Sequence, residues 1–404
     1  MSPSLKPGSG ACPRVIVVGG GVGALETVIA LRTLAGERID IVLIAPERAF
    51  GWRSLMVAAA FGGNSGSSIE FGDLAATFGI TYVRDAVLQV DTRERRVLLA
   101  AGSEERYDAL VIAIGAVPEE AVVGALTFGT PTGTNRFSRT LQLAEQGEIS
   151  DFVFAVPAQA GWPIALYELA LLTAERLRAS HAAADITLIT PEPAPLAVFG
   201  GRASGAVLEE LEDRNVHFIA GLLPEEIRWG ELHARPGKVR INADVVVTLP
   251  RLRGPALPGL PADARGFIPI DRHGLVRGLT DVYAAGDVVN FPIKHGGLAS
   301  QQADAVAETI SARVGVDITP APFRPVLRGM LLTGREPRYL EGSGDGGVAS
   351  TRPLWWPPAK VAGRYLGAYL SDRVARPPTA SGAVEVDETI DSELAVARAV
   401  GGRQ

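Results

Sequence analysis

Arg14-Val15-Ile16-Val17-Val18-Gly19-Gly20-Gly21-Val22-Gly23-Ala24 is the stretch that decides the fold. Four β-branched residues run straight into glycines, and a helical pattern then continues to Leu34. A second apolar run at residues 39–44 closes a strand–helix–strand unit of roughly 30 residues, the size of a dinucleotide-binding βαβ unit. Within it, Gly19-x-Gly21-x-x-Ala24 assigns one task to each position. Gly19 permits the tight turn, Gly21 lets backbone approach a pyrophosphate, and Ala24 allows helix and strand to pack closely. Gly23 belongs to the same turn. The helix start adds N–H groups without helical partners and the positive end of the dipole. A ribose calls for a carboxylate after the second strand, where the chain reads Ile44-Ala45-Pro46-Glu47. Glu47 comes slightly late, so ribose binding and an ordinary surface role both stay open.

Outward from this unit, strand-like runs at residues 81–84, 86–91, 96–100 and 107–114 predict a meander followed by a buried strand. A second strand–helix–strand pattern occupies residues 152–156, 164–180 and 186–190. A helix near 203–214 and strands at 216–220, 239–241 and 244–249 follow, ending in a Pro-rich linker at 250–261. Asp281-Val-Tyr-Ala-Ala-Gly-Asp287 precedes a helix from about 297 to 314. Residues 322–370 read as strand-like with turns, and residues 371–404 as a polar tail. The expected fold class is α/β, with two Rossmann-like dinucleotide-binding domains and a small C-terminal domain. The expected boundaries are 14–125 with 262–320 for the first, discontinuous domain, 126–261 for the second and 321–370 for the cap.

The 404 residues carry a net charge of −6, and 47% are hydrophobic. An acidic chain of this kind is a poor match to a nucleic-acid groove or a polybasic membrane patch. Cys12 is the only cysteine, which excludes an intrachain disulfide, a CxxC dithiol, a multi-thiolate zinc site and an iron–sulfur ligand set. The first thirteen residues lack the apolar run of a secretory signal. The longest apolar window, 152–174, is interrupted by Pro157, Gly161, Pro163 and Glu168. A cytoplasmic protein without an integral membrane segment is the expectation. His181, His217, His233 and His273 show no ligand spacing, so no metal site is expected.

Tyr107-Asp-Ala-Leu-Val-Ile-Ala-Ile-Gly115 and Asp281–Asp287, in this order after the glycine turn, resemble the two later signatures of flavin-binding proteins of the disulfide-reductase fold. The resemblance implies FAD in the first domain, held by Gly19, Gly21, Gly23, Ala24, Gly115, Gly286 and Asp287. It sets Asp287 against the ribityl chain and the backbone of Val87 near the adenine. Phe291-Pro-Ile-Lys-His-Gly-Gly-Leu-Ala-Ser-Gln-Gln-Ala303 resembles the flavin-facing helix start of the sulfide:quinone oxidoreductase, flavocytochrome c sulfide dehydrogenase and type II NADH dehydrogenase branch. That likeness implies that Gly297, Leu298 and Ala299 present N–H groups to the flavin, where a helix end favours negative charge. Lys294 and His295 are then candidates for flavin or substrate contact, the alternative being a solvated turn. The likeness spans residues 14–370, including Trp355-Trp356-Pro357-Pro358-Ala359-Lys360.

The departures from that family narrow the function. The second unit's loop, Pro157-Ala-Gln-Ala-Gly161-Trp162-Pro163, has one glycine and two prolines without N–H donors, a poor pyrophosphate cradle. A degenerate nicotinamide site is expected there. Where sulfide oxidoreductases carry a redox cysteine on this loop, Gln159 and Ala160 stand. Trp162 is read either as a ring that closes over the flavin or stacks on a planar acceptor, or as a core aromatic. Glu168 is read either as a carboxylate near the flavin or as half of a salt bridge. Trp355, Trp356, Tyr365, Leu366 and Tyr369 suit a lid, a homodimer interface or core burial. The expected function is an FAD-dependent oxidoreductase that passes electrons from a small-molecule donor to an acceptor such as a quinone, without a redox-active cysteine pair. Two alternatives stand beside it: an NAD(P)H dehydrogenase or electron-carrier reductase, and a non-catalytic flavin-binding sensor or scaffold.

Overall fold

The computed structural model describes residues 12–52, 55–63, 68–342, 346–356, 358–361 and 363–371. Most of the tail expected at 371–404 lies outside them. Val15, Ile16 and Val17 are fully buried, so β1 (Arg14–Val18) needs cover on both faces, as a strand in a parallel sheet receives. It runs into α1 (Val22–Ala35), and β2 (Asp40–Ile44) then pairs parallel with β1, Val17 opposite Leu43. Two short helices, α2 (Met56–Ala60) and α3 (Phe71–Phe78), precede β3 (Thr81–Val83) and have no counterpart in the sequence reading. The meander Val87–Asp91, Arg96–Leu99, Glu104–Arg106 leads to β4 (Ala109–Ile112), which flanks β1 on its other side.

The second unit contains β5 (Leu126–Thr127), α4 (Pro131–Glu145), β6 (Asp151–Ala155), α5 (Ile164–Ala179), β7 (Asp185–Ile189), α6 (Gly201–Glu212), β8 (Val216–Ile219) and β9 (Val245–Thr248). Its parallel sheet has the order β5-β9-β6-β7-β8. Thr130 caps α4 by accepting from the Gly133 N–H at 3.0 Å, and Pro131 stands at the first helical position. That Thr-Pro start is a helix signal the sequence reading passed over. The chain then returns to the first sheet as β10 (Val282–Ala284), completing the parallel order β10-β4-β1-β2-β3. The outgoing and returning chains pair antiparallel, Val117–Glu119 with Arg251–Arg253, and Arg253 sits 2.6 Å from Glu119.

α7 (Gly296–Arg313) lies along α1 in the core of the first sheet. A three-stranded antiparallel cap follows, β11 (Arg328–Leu331), β12 (Arg338–Glu341) and β13 (Val348–Ser350). Its Leu331 and Leu340 join the second unit's core. The chain then turns back to the first unit as α8 (Tyr365–Ser371), whose Leu366 is buried with α1 and α7. The strand-like reading of 322–370 is therefore corrected at its end. Residues 365–371 are helical because the first turn of α8 is organised by a distant buried acceptor, Glu26.

Gly19 has φ +123°, and a Cβ there would stand 2.3 Å from the Ala113 carbonyl oxygen. Gly21 has open space at the same point. Gly19→Ala is expected to cost about 2–4 kcal/mol, whereas Gly21→Ala stays within about 1 kcal/mol of the parent. Urea unfolding of the two variants checks this, and equal losses would contradict the tight-turn assignment.

Candidate functional site

The carboxyl ends of β1, β4 and β10 converge. The Ala113 N–H donates to the Val18 carbonyl at 2.8 Å and the Ala285 N–H to the Ile112 carbonyl at 3.0 Å, carrying the three chains past the sheet edge in step. Gly19 lies against Ala113, and a Cβ at Gly23 would stand 3.5 Å from the Ala285 oxygen. The glycine turn, residues 107–115 and residues 281–287 thus share one floor. Gly21 begins α1 in extended backbone with no side chain capping the helix end. An open, uncapped helix start is a site for anionic phosphate. Glu47 folds back over this turn, its Oε2 3.0 Å from where a Cβ at Gly20 would be. Ala24 is fully buried, and Gly115, at φ +76°, leaves open space beside the floor. Val87 is half-buried on the meander opposite Leu99. A Cβ at Gly286 would come 3.4 Å from Ala299, and the Gly286 N–H donates to Gln302 Oε1 at 2.7 Å. Asp287, half-buried next to it, is an electrostatic neighbour of Lys294.

The start of α7 is partly closed by its own residues. His295 is the N-cap, with Nδ1 accepting from the Gly297 N–H at 3.2 Å, and the Ala299 N–H donates to the His295 carbonyl at 2.9 Å. Of the amides at Gly297, Leu298 and Ala299, the first and third therefore already have acceptors within the chain. Burial, reinforced by the Lys360 charge, pushes His295 down to about 4. The ring is neutral at pH 7, and because Nδ1 accepts, its proton sits on Nε2. Trp162 lies against this imidazole, centroids 4.2 Å apart and planes tilted 33°, and meets Phe199 edge-on at 5.5 Å. Lys294 donates to the Val289 carbonyl and rests 3.8 Å above the Phe267 ring. Burial pushes it down to about 8, with Asp287 acting in the opposite direction.

The 157–163 loop packs onto this cluster. The Lys294 N–H donates to the Gly161 carbonyl at 2.9 Å. A Cβ on Gly161 would lie 2.7 Å from Lys294 Cγ, so the loop's one glycine is needed for close approach to Lys294. Glu168, fully buried on α5, accepts from the Leu332 N–H at 2.9 Å and pairs with the buried Lys360 ammonium. Burial raises its pKa, and Lys360 pulls it back. Lys360 thus ties the C-terminal segment to the second unit, a role that sequence reasoning missed. A lone lysine among prolines and tryptophans, in a chain with four lysines, was the available signal.

A second missed residue is Glu192. Asp40-Ile-Val-Leu-Ile-Ala-Pro-Glu47 recurs as Asp185-Ile-Thr-Leu-Ile-Thr-Pro-Glu192, a repeat that marks equivalent carboxylates in the two units. Their surroundings differ. Glu47 is exposed beside its glycine turn, whereas Glu192 accepts from Tyr167 Oη at 3.0 Å, Thr190 Oγ1 at 3.1 Å and the Ala197 N–H at 3.1 Å. Tyr167 is fully buried, so the second unit's carboxylate is engaged from within. Cys12 lies at the opposite end of β1, exposed, with its thiol directed to the Glu37 carbonyl at 3.3 Å. Among the described residues no cluster of three or more His, Cys, Asp or Glu could hold a metal ion, and no helix is long and apolar enough to cross a membrane.

Residues 13–151 and 166–306 match the pyridine nucleotide-disulphide oxidoreductase family. The chain is 26% identical over 387 residues to an alternative NAD(P)H-ubiquinone oxidoreductase C1, chloroplastic/mitochondrial, of Arabidopsis thaliana, covering 82% of this chain and 74% of that protein. It is 26% identical over 338 residues to a sulfide-quinone reductase of Aquifex aeolicus, covering 74% and 76%. Among solved structures, the sulfide:quinone oxidoreductase from Aquifex aeolicus superposes with a TM-score of 0.76 at 20% identity, over 84% of this chain and 87% of that one.

Lys360→Met strands a buried carboxylate and is expected to cost about 3–5 kcal/mol at pH 8. Burial already raises the Glu168 pKa, and losing the cation raises it further, so folded protein favours the protonated acid. The deficit should therefore shrink on acidification, as Glu168 takes up a proton, and grow as pH rises through its pKa. Thermal unfolding of parent and variant from pH 5 to 8 checks this, and a pH-independent deficit would contradict it.

Proposed function

The chain belongs to the pyridine nucleotide-disulphide oxidoreductase family, and on that premise we propose that it is an FAD-dependent oxidoreductase passing electrons from a small-molecule donor to a quinone-class acceptor without a redox-active cysteine pair. The observation that carries the cofactor is the shared floor built from the glycine turn, residues 107–115 and residues 281–287 at one sheet edge. Gly19, Gly21, Gly23 and Ala24 would bring the open start of α1 to the pyrophosphate, and Glu47 would accept from a ribose. Val87 would meet the adenine, Gly115 and Gly286 would let backbone approach, and Asp287 would hold the ribityl chain. Leu298 would offer its amide at the start of α7. Bound there, FAD supplies the two-electron chemistry, and the chain supplies position, field and access.

Three features support the acceptor class. Trp162 offers a half-buried flat face against the neutral His295, which holds a proton at Nε2. The buried Lys360 cation lies near enough to lower the His295 pKa. A flat aromatic wall beside a fixed cation suits a planar molecule that gains negative charge. Lys294 and Glu168 border this wall and position the loop and the cation. A nicotinamide donor is a second reading, favoured by the name of the Arabidopsis relative. Against it stand the prolines of the 157–163 loop, Gly161 committed to Lys294, and Glu192 committed to Tyr167.

The experiment is anaerobic addition of NADH, NADPH, sulfide and a soluble quinol to flavin-loaded protein. The flavin colour unchanged over minutes in both nicotinamides is the expected result, with sulfide bleaching it and the quinol, the reduced form of the proposed acceptor class, leaving it oxidised. Rapid bleaching by either nicotinamide would overturn the donor assignment. Asp287→Ala is expected to weaken FAD retention about 10–100-fold while the chain still folds, from loss of a charge-assisted hydrogen bond. Undiminished flavin stoichiometry in that variant would contradict the ribityl role.

A further inference from the structure

Glu26 is fully buried in the middle of α1, and nothing proposed for the cofactor uses it. Its two carboxyl oxygens accept the Tyr365 N–H at 2.7 Å and the Leu366 N–H at 2.9 Å, the first turn of α8. The backbone before α8 presses so closely that a Cβ on Gly363 would stand 2.3 Å from Glu26 Oε2 and 3.1 Å from Ser300 Oγ. From α7 a second carboxyl, the half-buried Asp304, is the electrostatic neighbour of Glu26, and its Oδ1 is buried without a hydrogen-bond partner. Two neighbouring carboxyl groups, one fully buried and one half-buried, resist ionising together, which favours one proton shared between them.

We propose that Glu26 and Asp304 form a proton-controlled latch that holds α8 on the first unit and lets it go when the pair loses its shared proton. The charged neighbours on each packed element are few. Arg364 precedes α8 and is mostly exposed, Glu308 lies one turn beyond Asp304 and pairs with Arg364 at 3.3 Å, and the Tyr365 phenol lies alongside. Arg364 favours ionisation of Asp304 and Glu308 opposes it, while burial and Glu26 dominate. Together they push Asp304 up to about 8, and Glu26 is raised as well.

The direction of the switch follows from linkage. Once α8 lifts, water reaches both carboxyls and they titrate in their ordinary range. Between that range and about 8 the closed form holds one more proton than the open form. Closure therefore weakens by about tenfold per pH unit through this interval and levels off above it. The consequence extends beyond α8, because the segment leading into it carries Lys360, the partner of Glu168.

The test is hydrogen exchange of the Tyr365 and Leu366 amides in the purified full chain from pH 6 to 9, corrected for intrinsic exchange. In the parent, protection should fall about tenfold per unit from pH 6 to about 8 and then flatten. Asp304→Asn keeps a donor for Glu26 but cannot ionise, so its protection should vary less than about twofold over the same range. Protection independent of pH in the parent overturns the latch, and so does an unchanged slope in Asp304→Asn. The parent series decides by itself if that variant fails to fold, and neither series depends on which donor or acceptor the enzyme uses.

Discussion

Two buried glutamates at equivalent places in the two Rossmann-like units fix how the C-terminal segment crosses the molecule. Glu26 and Glu168 are each the fifth residue of their helix, α1 after β1 and α5 after β6, and both are fully buried. A buried carboxylate is costly unless it is paired or hydrogen-bonded. The C-terminal segment supplies both sets of partners, the Lys360 ammonium for Glu168 and the first amides of α8 for Glu26. Removing that segment would leave both acids unsatisfied in the interior. The cap and α8 are thus held as much by polar necessity as by the burial of Leu331, Leu340 and Leu366.

The recurrence of the Rossmann-like unit shows how one architecture yields two different surroundings for the same residue pattern. β2 and β7 are both followed, one residue on, by Pro-Glu, yet the first unit keeps an open glycine turn and an exposed Glu47. In the second, Tyr167 and the Ala197 amide engage Glu192, and the single loop glycine is needed to accommodate Lys294. The loop then carries Trp162 onto His295, at the start of the helix that closes the first unit. Under the proposed function, the second unit supplies one wall of the acceptor site. The divergence fits a chain whose relatives include both an NAD(P)H-ubiquinone oxidoreductase and a sulfide-quinone reductase.

Much of this was legible in the residues. The unbroken Val15–Val18 run into glycines defines β1 and the turn before α1, and the Asp281–Asp287 segment holds β10 ahead of α7, the helix that the sequence reading sets after it. What stayed hidden depends on contacts between distant segments. Nothing local marks Lys360 as the partner of a glutamate 192 residues away. The helical state of residues 365–371 depends on Glu26, more than 330 residues upstream. His295, read as a flavin or substrate contact or as part of a solvated turn, caps its own helix through Nδ1, which no local pattern announced. The repeated octapeptide around Glu47 and Glu192 was visible in the sequence. Its meaning emerged only once Tyr167 was seen to engage one copy.

The most direct test of the account is the identity and amount of dinucleotide released when the purified chain is denatured. The open first unit and the self-engaged second unit predict one FAD per chain and no nicotinamide nucleotide, even after incubation with excess NADH. A chain that refuses FAD, or one that retains a nicotinamide dinucleotide in equal amount, would contradict the division of roles between the two units.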